Sequence, residues 1–161
     1  MPEPMTLLRL LNLLFFGPKV TAPKINFSSE GKRLKRDWRI VTLDAGSCQA
    51  DNLEIQALSN AYYDFERFGF SFVTSPRHAD ILLVTGPVTS NMSNVVLATH
   101  TATPKPCLVV AVGDGACDGG IWKNSYAVVG PVEALIPVNL RIPGNPPSPT
   151  TILQALIGLC H

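Results

Sequence analysis

The sequence predicts an α/β fold in which a parallel sheet carries helices on both faces. Three short segments, 38–43, 79–86 and 107–112, are almost continuously apolar, as expected of strands that are buried on both sides. They alternate with segments whose apolar residues recur at helical spacing. This alternation is typical of a sheet that is wound from strand–helix units.

The order of the predicted elements places a functional site in the loops that follow the strands. A strand at 38–43 is followed by a helix that begins with Asp51 or Asn52 as its cap and continues to Gly69, and a short strand follows at 70–73. Further loops follow the strands at Gly86 and at 113–120. In parallel sheets, sites form at the carboxyl ends of strands, so we expect these loops to meet at one edge.

The last part of the chain contains a loop and a helix. Four prolines lie in the segment 142–149, and each proline ring fixes φ near −65°. We therefore expect a rigid loop there. An apolar helix is predicted at 150–159.

The first 36 residues differ from the rest. Segment 5–16 predicts a very apolar helix that ends at Gly17-Pro18 and is too short to cross a bilayer. It could cover the protein's own core, but its apolar faces favour contact with a membrane subunit or with the lipid interface. Segment 22–36 is polar and basic and predicts an extended linker that contacts solvent or other subunits. We therefore divide the chain into 1–36 and an α/β domain at 37–161.

The composition favours a protein covered by partners. Of the 161 residues, 46% are hydrophobic and 16% are charged, which leaves few charges for a free surface. The net charge of +1 gives no reason to expect nucleic acid as a partner. No secretory signal is recognisable. The segment 113–120 is rich in glycine but lacks the Lys-Ser/Thr pair of a phosphate-binding loop.

The four cysteines show no CxxC pair. They are Cys48, Cys107, Cys117 and Cys160. In this pattern reduced thiols are favoured over disulfides. Cys107 begins an apolar strand and Cys160 ends a helix, so both are predicted to be packing residues.

Several motifs carry a resemblance to a known family. The segment 75–89, the closing segment 136–149 and the turn at Gly119-Gly120 resemble the 20 kDa subunit of respiratory complex I and the small subunits of related [NiFe]-hydrogenases. The pieces at 46–48 and 53–55 resemble the energy-converting, membrane-bound hydrogenases in particular. The resemblance extends over essentially the whole chain and implies a flavodoxin-like fold.

The same resemblance implies one [4Fe–4S] cluster bound by four cysteines, of which three are missing here. The corresponding positions are Cys48, Asp51, Gly115 and Asn145. Cluster iron is held by thiolates, with occasional histidine or carboxylate replacements. Asp51 could replace one thiolate, but glycine offers no ligand atom and asparagine only a weak neutral oxygen. Cys117 is a possible substitute at the third position, but a conventional cluster is not expected.

The basic residues near the third strand leave two interpretations open. The resemblance places Arg77 near the cluster, where it would now fill or balance the empty site. Alternatively, Arg77 pairs with a carboxylate at a subunit interface. His78 is expected to be structural or interfacial, and His100 and His161 show no spacing typical of metal ligands.

These observations predict a structural subunit without a cofactor or a catalytic site of its own. It would link a hydrogenase-large-subunit-like protein to antiporter-like or quinone-site-like membrane subunits that translocate ions, on the cytoplasmic side of the inner membrane. An alternative is an electron-transferring subunit with an atypical [4Fe–4S] cluster on Cys48 and Cys117. A free flavodoxin-like binder of small molecules fits the fold but not the apolar segment 5–16.

Overall fold

A computed structural model describes residues 37–160. The predicted helix at 5–16, the predicted linker at 22–36 and His161 lie outside the described residues. Within 37–160, no helix combines the length and the apolar character that are needed to cross a bilayer.

The centre of the domain is a five-stranded parallel sheet with the strand order β2-β1-β3-β5-β7. Its strands are β1 (Trp38–Asp44), β2 (Phe70–Phe72), β3 (Ile81–Thr85), β5 (Leu108–Val112) and β7 (Leu140–Ile142). All four strand pairs are parallel. The predicted α/β class and the flavodoxin-like order of strands are confirmed.

Alternate residues of the central strands pack into two separate apolar cores, one on each face of the sheet. Ile81 and Leu83 of β3 lie in one apolar cluster with residues of α1 (Ala50–Ala57) and α4 (Pro149–Cys160). Leu82 and Val84 lie in the other cluster, together with Val96 of α2 (Ser93–Ala102). Because successive side chains of a strand point to opposite faces, continuous apolar runs are required here. Helices therefore cover both faces, as predicted.

Three short strands were not predicted from the sequence. β4 (Val88–Thr89) pairs antiparallel with β6 (Val128–Gly130), and these two form a small second sheet. The third, β7, forms the edge of the main sheet beside β5. Strands of two or three residues are too short for an apolar alternation to be recognised.

The first helix is shorter than predicted and begins earlier. It ends at Ala57 instead of continuing to Gly69, and Gln49, not Asp51 or Asn52, occupies the cap position. The Asn60 side chain accepts hydrogen bonds from the backbone N–H groups of Tyr62 and Tyr63, which replaces helical bonding with a turn. A separate 3₁₀ turn, Phe65–Phe68, then buries two phenylalanines.

The glycine-rich segment is partly helical, which corrects the prediction of a loop at 113–120. Helix α3 (Asp114–Asp118) follows β5 directly and ends at Gly119, whose φ of 89° is left-handed. A 3₁₀ turn, Gly120–Trp122, follows. The remaining 3₁₀ turns in the described part are Pro76–His78 and Val132–Ala134.

Candidate functional site

The carboxyl ends of the central strands meet at one edge of the sheet. Asp44 pairs in register with Thr85, Thr85 with Val112, and Val112 with Ile142. The segments 44–52, 85–87, 113–120 and 142–148 follow these ends, and we call them together the site edge. Cys48, Asp51, Gly115 and Asn145 all belong to it, so the structure places the four predicted positions at the same edge of the sheet.

Asp44 organises the loop that carries Cys48. Its Oδ1 accepts hydrogen bonds from the N–H groups of Gly46, at 2.9 Å, and Ser47, at 2.6 Å. The Cys48 side chain itself is exposed. The Asp44 carboxylate therefore fixes the backbone of this loop, and the Cys48 thiol faces solvent.

Asn52 connects this loop to the neighbouring strand, a role that sequence reasoning did not identify. Its Nδ2 donates to Asp44 Oδ2 at 3.1 Å, and its Oδ1 accepts from Thr85 Oγ1 at 3.0 Å. Thr85 is fully buried. The one signal in the sequence was Thr85, a polar residue at the end of an apolar strand, whose hydroxyl needs a hydrogen-bond partner if it is buried.

Asp51 is buried in a cradle made by Gly113. Its side chain is 6% exposed, and no donor in the described part of the chain reaches its Oδ1. A methyl group built on Gly113 would lie 2.7 Å from both carboxylate oxygens. Since such a contact is far too close, only glycine at position 113 leaves room for Asp51.

The surroundings of Asp51 disfavour its negative charge. Burial is the main cause that raises the pKa of Asp51 above its usual value of 3.8, and the nearby carboxylates of Asp114 and Asp44 raise it further. The burial of Asp51 therefore works against the deprotonated form that a cluster ligand must adopt.

Gly115 leaves no space for a side chain. A methyl group built on it would lie 2.7 Å from Pro87 Cδ, 3.0 Å from Pro87 N and 3.2 Å from the carbonyl carbon of Gly86. Two of these three atoms belong to the backbone, which cannot move aside cheaply. Helix α3 and the loop after β3 are therefore in close contact at the third cluster position.

Hydrogen bonds of Asp114 connect the third cluster position, Gly115, with the loop that carries the fourth, Asn145. Its Oδ1 accepts from the Gly144 N–H at 2.7 Å, and its own N–H donates to the Gly144 carbonyl at 2.8 Å. Asn145, the next residue, is exposed. The closing loop is thus anchored by hydrogen bonds beside the position where the family's fourth cysteine stands.

The other cysteines belong to the packing of the domain. Cys117 is half-buried against the second core, its Sγ lies 3.7 Å from the Ala111 carbonyl, and burial raises the pKa of its thiol. Cys107 packs against the same core and Cys160 against the first, as predicted for both. Burial raises the pKa of Cys107, and that of Cys160 to about 11.

Arg77 is not brought to the site edge. It lies in the turn Pro76–His78, immediately before β3, whereas the site edge follows the end of β3. The five residues of that strand separate the two by about 17 Å. Arg77 and His78 are both exposed at the amino end of the sheet.

A family comparison agrees with the motifs and the fold. Residues 48–159 match the family described as NADH ubiquinone oxidoreductase, 20 Kd subunit. The chain belongs to this family. The match covers the whole site edge from Cys48 onward, and it confirms the resemblance inferred from the sequence.

Two relatives of the chain are named as subunits of a hydrogenase and of a hydrogenlyase. The chain is 42% identical over 142 residues to a probable membrane-bound hydrogenase subunit (mbhJ) of Pyrococcus furiosus, covering 81% of this chain and 84% of the relative. It is 39% identical over 122 residues to formate hydrogenlyase subunit 7 of Escherichia coli, covering 76% of this chain but only 48% of that relative. The chain thus spans about half the length of the second protein.

A solved structure supports the fold. A chain in the structure of the membrane-bound sulfane sulfur reductase, an archaeal respiratory membrane complex, superposes with a TM-score of 0.68 at 31% sequence identity. The match covers 78% of this chain and 71% of that one.

The residues of the site edge do not fit the [4Fe–4S] cluster that this family normally binds. A Cβ atom at the third position would lie 2.7 Å from Pro87 Cδ, so a side chain there requires the neighbouring loop to shift, and the second position holds a buried carboxyl whose pKa is raised. In the described part of the chain, no three His, Cys, Asp or Glu side chains converge as metal ligands would. Cys48 is the one thiol at the four family positions.

Proposed function

We propose that this chain is a structural subunit, without a cluster, of a membrane-bound complex related to complex I and the energy-converting hydrogenases. It would join a hydrogenase-large-subunit-like protein to the membrane subunits that translocate ions, on the cytoplasmic side of the membrane. In this proposal residues 37–161 form the domain that meets the large subunit. Within residues 1–36, the apolar segment 5–16 contacts membrane subunits or lipid.

The observation that carries the proposal is the closed state of the third cluster position. Gly115 is in close contact with Pro87 and the Gly86 backbone, so loss of the cysteine is accompanied by loss of the space for it. The fold is retained around this closure, with Asp44, Asn52 and Asp114 holding the loops together. These features support a subunit kept for its shape and contacts.

Exposed apolar side chains near the site edge support a partner on this side. We call them the loop patch: Ile121, 81% exposed, Trp122, 58% exposed, and Tyr126, which is completely exposed. Ile121 and Trp122 follow directly on the Gly119–Gly120 turn, and Tyr126 lies four residues beyond Trp122. Exposed aromatic side chains are characteristic of protein interfaces, where they often dominate the binding energy.

We expect charged substitutions in the loop patch to prevent assembly without unfolding the domain. Trp122→Asp and Tyr126→Asp should each lower recovery of a hydrogenase-large-subunit-like protein with the tagged chain by about tenfold or more. The matched control is Asn124→Asp, an exposed substitution in the same loop. Thermal unfolding of all three variants should remain close to that of the unaltered chain. Equal recovery with all variants would contradict an interface at the loop patch.

The alternative is an electron-transferring subunit with an atypical cluster. One observation favours it, which is that Cys48 remains exposed at the first family position. Cys117, its suggested companion, packs against the second core with its Sγ near the Ala111 carbonyl. The iron measurement that ends the Discussion separates the two proposals.

A further inference from the structure

The open edge of the sheet has a notch beside β1. β2 pairs with β1 only from Trp38 to Ile40, while β1 continues to Asp44. Where β2 stops, a cavity of about 410 Å³ lies beside the exposed part of β1. We call it the β1 notch, and its wall and rim are formed by Thr42, Asp44, Gln49, Asn52, Gln56 and Phe72.

The backbone of Thr42 faces this notch. On β1, the Trp38 N–H and the Ile40 carbonyl bond toward the β2 side, to the Gly69 carbonyl and the Val73 N–H. The Ala45 N–H bonds instead to Thr85 on β3. Because backbone groups alternate along a strand, those of Thr42 point to the β2 side, where the sheet has no further strand partner in the described part of the chain.

The notch combines polar side chains with one exposed aromatic ring. Phe72 lines the notch and is 36% exposed, whereas Ile55, which also lines it, is almost completely buried. Gln49 and Gln56 are among the polar lining residues. An unpaired strand edge with an apolar wall is the arrangement to which an additional strand binds.

We propose that residues 24–28 of this same chain bind in the β1 notch as an additional strand. In the sequence, Ile25 and Phe27 alternate with the polar residues Lys24, Asn26 and Ser28. This period of two places both apolar side chains on one face of a strand, where they would meet the exposed ring of Phe72.

The chain that precedes β1 is long enough for this arrangement. Eight residues, 29–36, connect the segment to Asp37, and they span up to about 26 Å when extended. Thr42 lies four residues along β1 from Trp38, a distance of about 13 Å. The connection therefore reaches the notch around the short strand β2.

The positive charge of residues 22–36 is complementary to the negative charge at the β1 notch. Residues 22–36 contain a single carboxylate, Glu30, and the basic residues Lys24, Lys32, Arg33, Lys35 and Arg36. The notch contains the carboxylate of Asp44, and the site edge beside it adds the carboxylate of Asp114. This attraction favours the protein's own basic segment as the occupant.

Hydrogen exchange at the Thr42 amide in the full-length chain tests the proposal. We expect this amide to be protected, and Ile25→Asp and Phe27→Asp each to accelerate its exchange by about tenfold or more. The matched control, Leu34→Asp, changes an apolar residue of the same segment outside 24–28 and should leave exchange unchanged. Slow exchange at Leu83, in the buried strand β3, verifies that each variant remains folded.

Four outcomes would overturn the proposal. The first is rapid exchange at Thr42 in the unaltered chain, and the second is protection that survives both aspartate substitutions. Protection that increases with protein concentration would assign the notch to a second copy. Protection that appears only with partner subunits or a small molecule present would assign it to them.

Discussion

Gly115→Ala should destabilise the domain by about 1–3 kcal/mol, the usual cost of forcing an extra carbon into a closely packed site. The added Cβ would lie 2.7 Å from Pro87 Cδ and 3.0 Å from Pro87 N, so the loop after β3 must shift. Gly115→Cys should cost at least as much, because its Cβ meets the same atoms. Urea unfolding followed by circular dichroism measures both changes.

Gly158→Ala is the matched control for this prediction. Gly158 lies in helix α4, and a methyl group built on it meets no atom within 4 Å. The same chemical change should there stabilise the protein by about 0.5–1 kcal/mol, because alanine favours a helix more than glycine does. Opposite signs at the two glycines are therefore expected. A Gly115→Ala variant as stable as the unaltered chain would show that the third position is open.

Asp51→Asn should stabilise the domain at neutral pH by an amount on the order of 1 kcal/mol, the scale of a poorly satisfied buried polar group. Burial, then Asp114 and Asp44, raise the pKa of Asp51 in the folded protein. The ionised form is therefore disfavoured in the folded state relative to the unfolded one. The contribution of this carboxyl to stability is fully present below its usual pKa of 3.8 and is lost as the pH rises through the raised value.

The pH dependence identifies the cause of this effect. The stability difference between Asp51→Asn and the unaltered chain should be small near pH 4 and should increase toward pH 7, as measured by urea unfolding at several pH values. Asp118→Asn is the control, since Asp118 is exposed and its Oδ1 accepts from the Gly120 N–H, which an amide oxygen can also do. A difference that does not change with pH would argue against a raised pKa at Asp51.

The centre of the main sheet was predictable because β3 and β5 are apolar on both faces. Their apolar runs are too continuous for a half-exposed strand, and the alternation of strands with helices indicated parallel order. By contrast, β4, β6 and β7 have only two or three residues, and tertiary pairing alone makes them strands. The end of helix α1 depended on Asn60, whose competing backbone hydrogen bonds were overlooked.

The candidate site was predictable in position but not in its internal contacts. The resemblance identified Cys48, Asp51, Gly115 and Asn145, and parallel strands explain why all four belong to one edge. The contact of Asp51 with Gly113 and that of Gly115 with Pro87 depend on how loops from different strands approach each other. No local pattern in the sequence encodes such a distance. Arg77 shows the converse, since it is close to β3 in sequence but lies at the opposite end of that strand.

The iron content of this subunit, measured after anaerobic purification of the intact complex and separation of its chains, tests the central claim most directly. With only one thiol at the four family positions and no room for a side chain at Gly115, we expect essentially no iron bound to this chain and no cluster signal from it by EPR. About four iron atoms per copy, with an EPR signal that disappears in Cys48→Ala, would contradict the account and favour the atypical cluster.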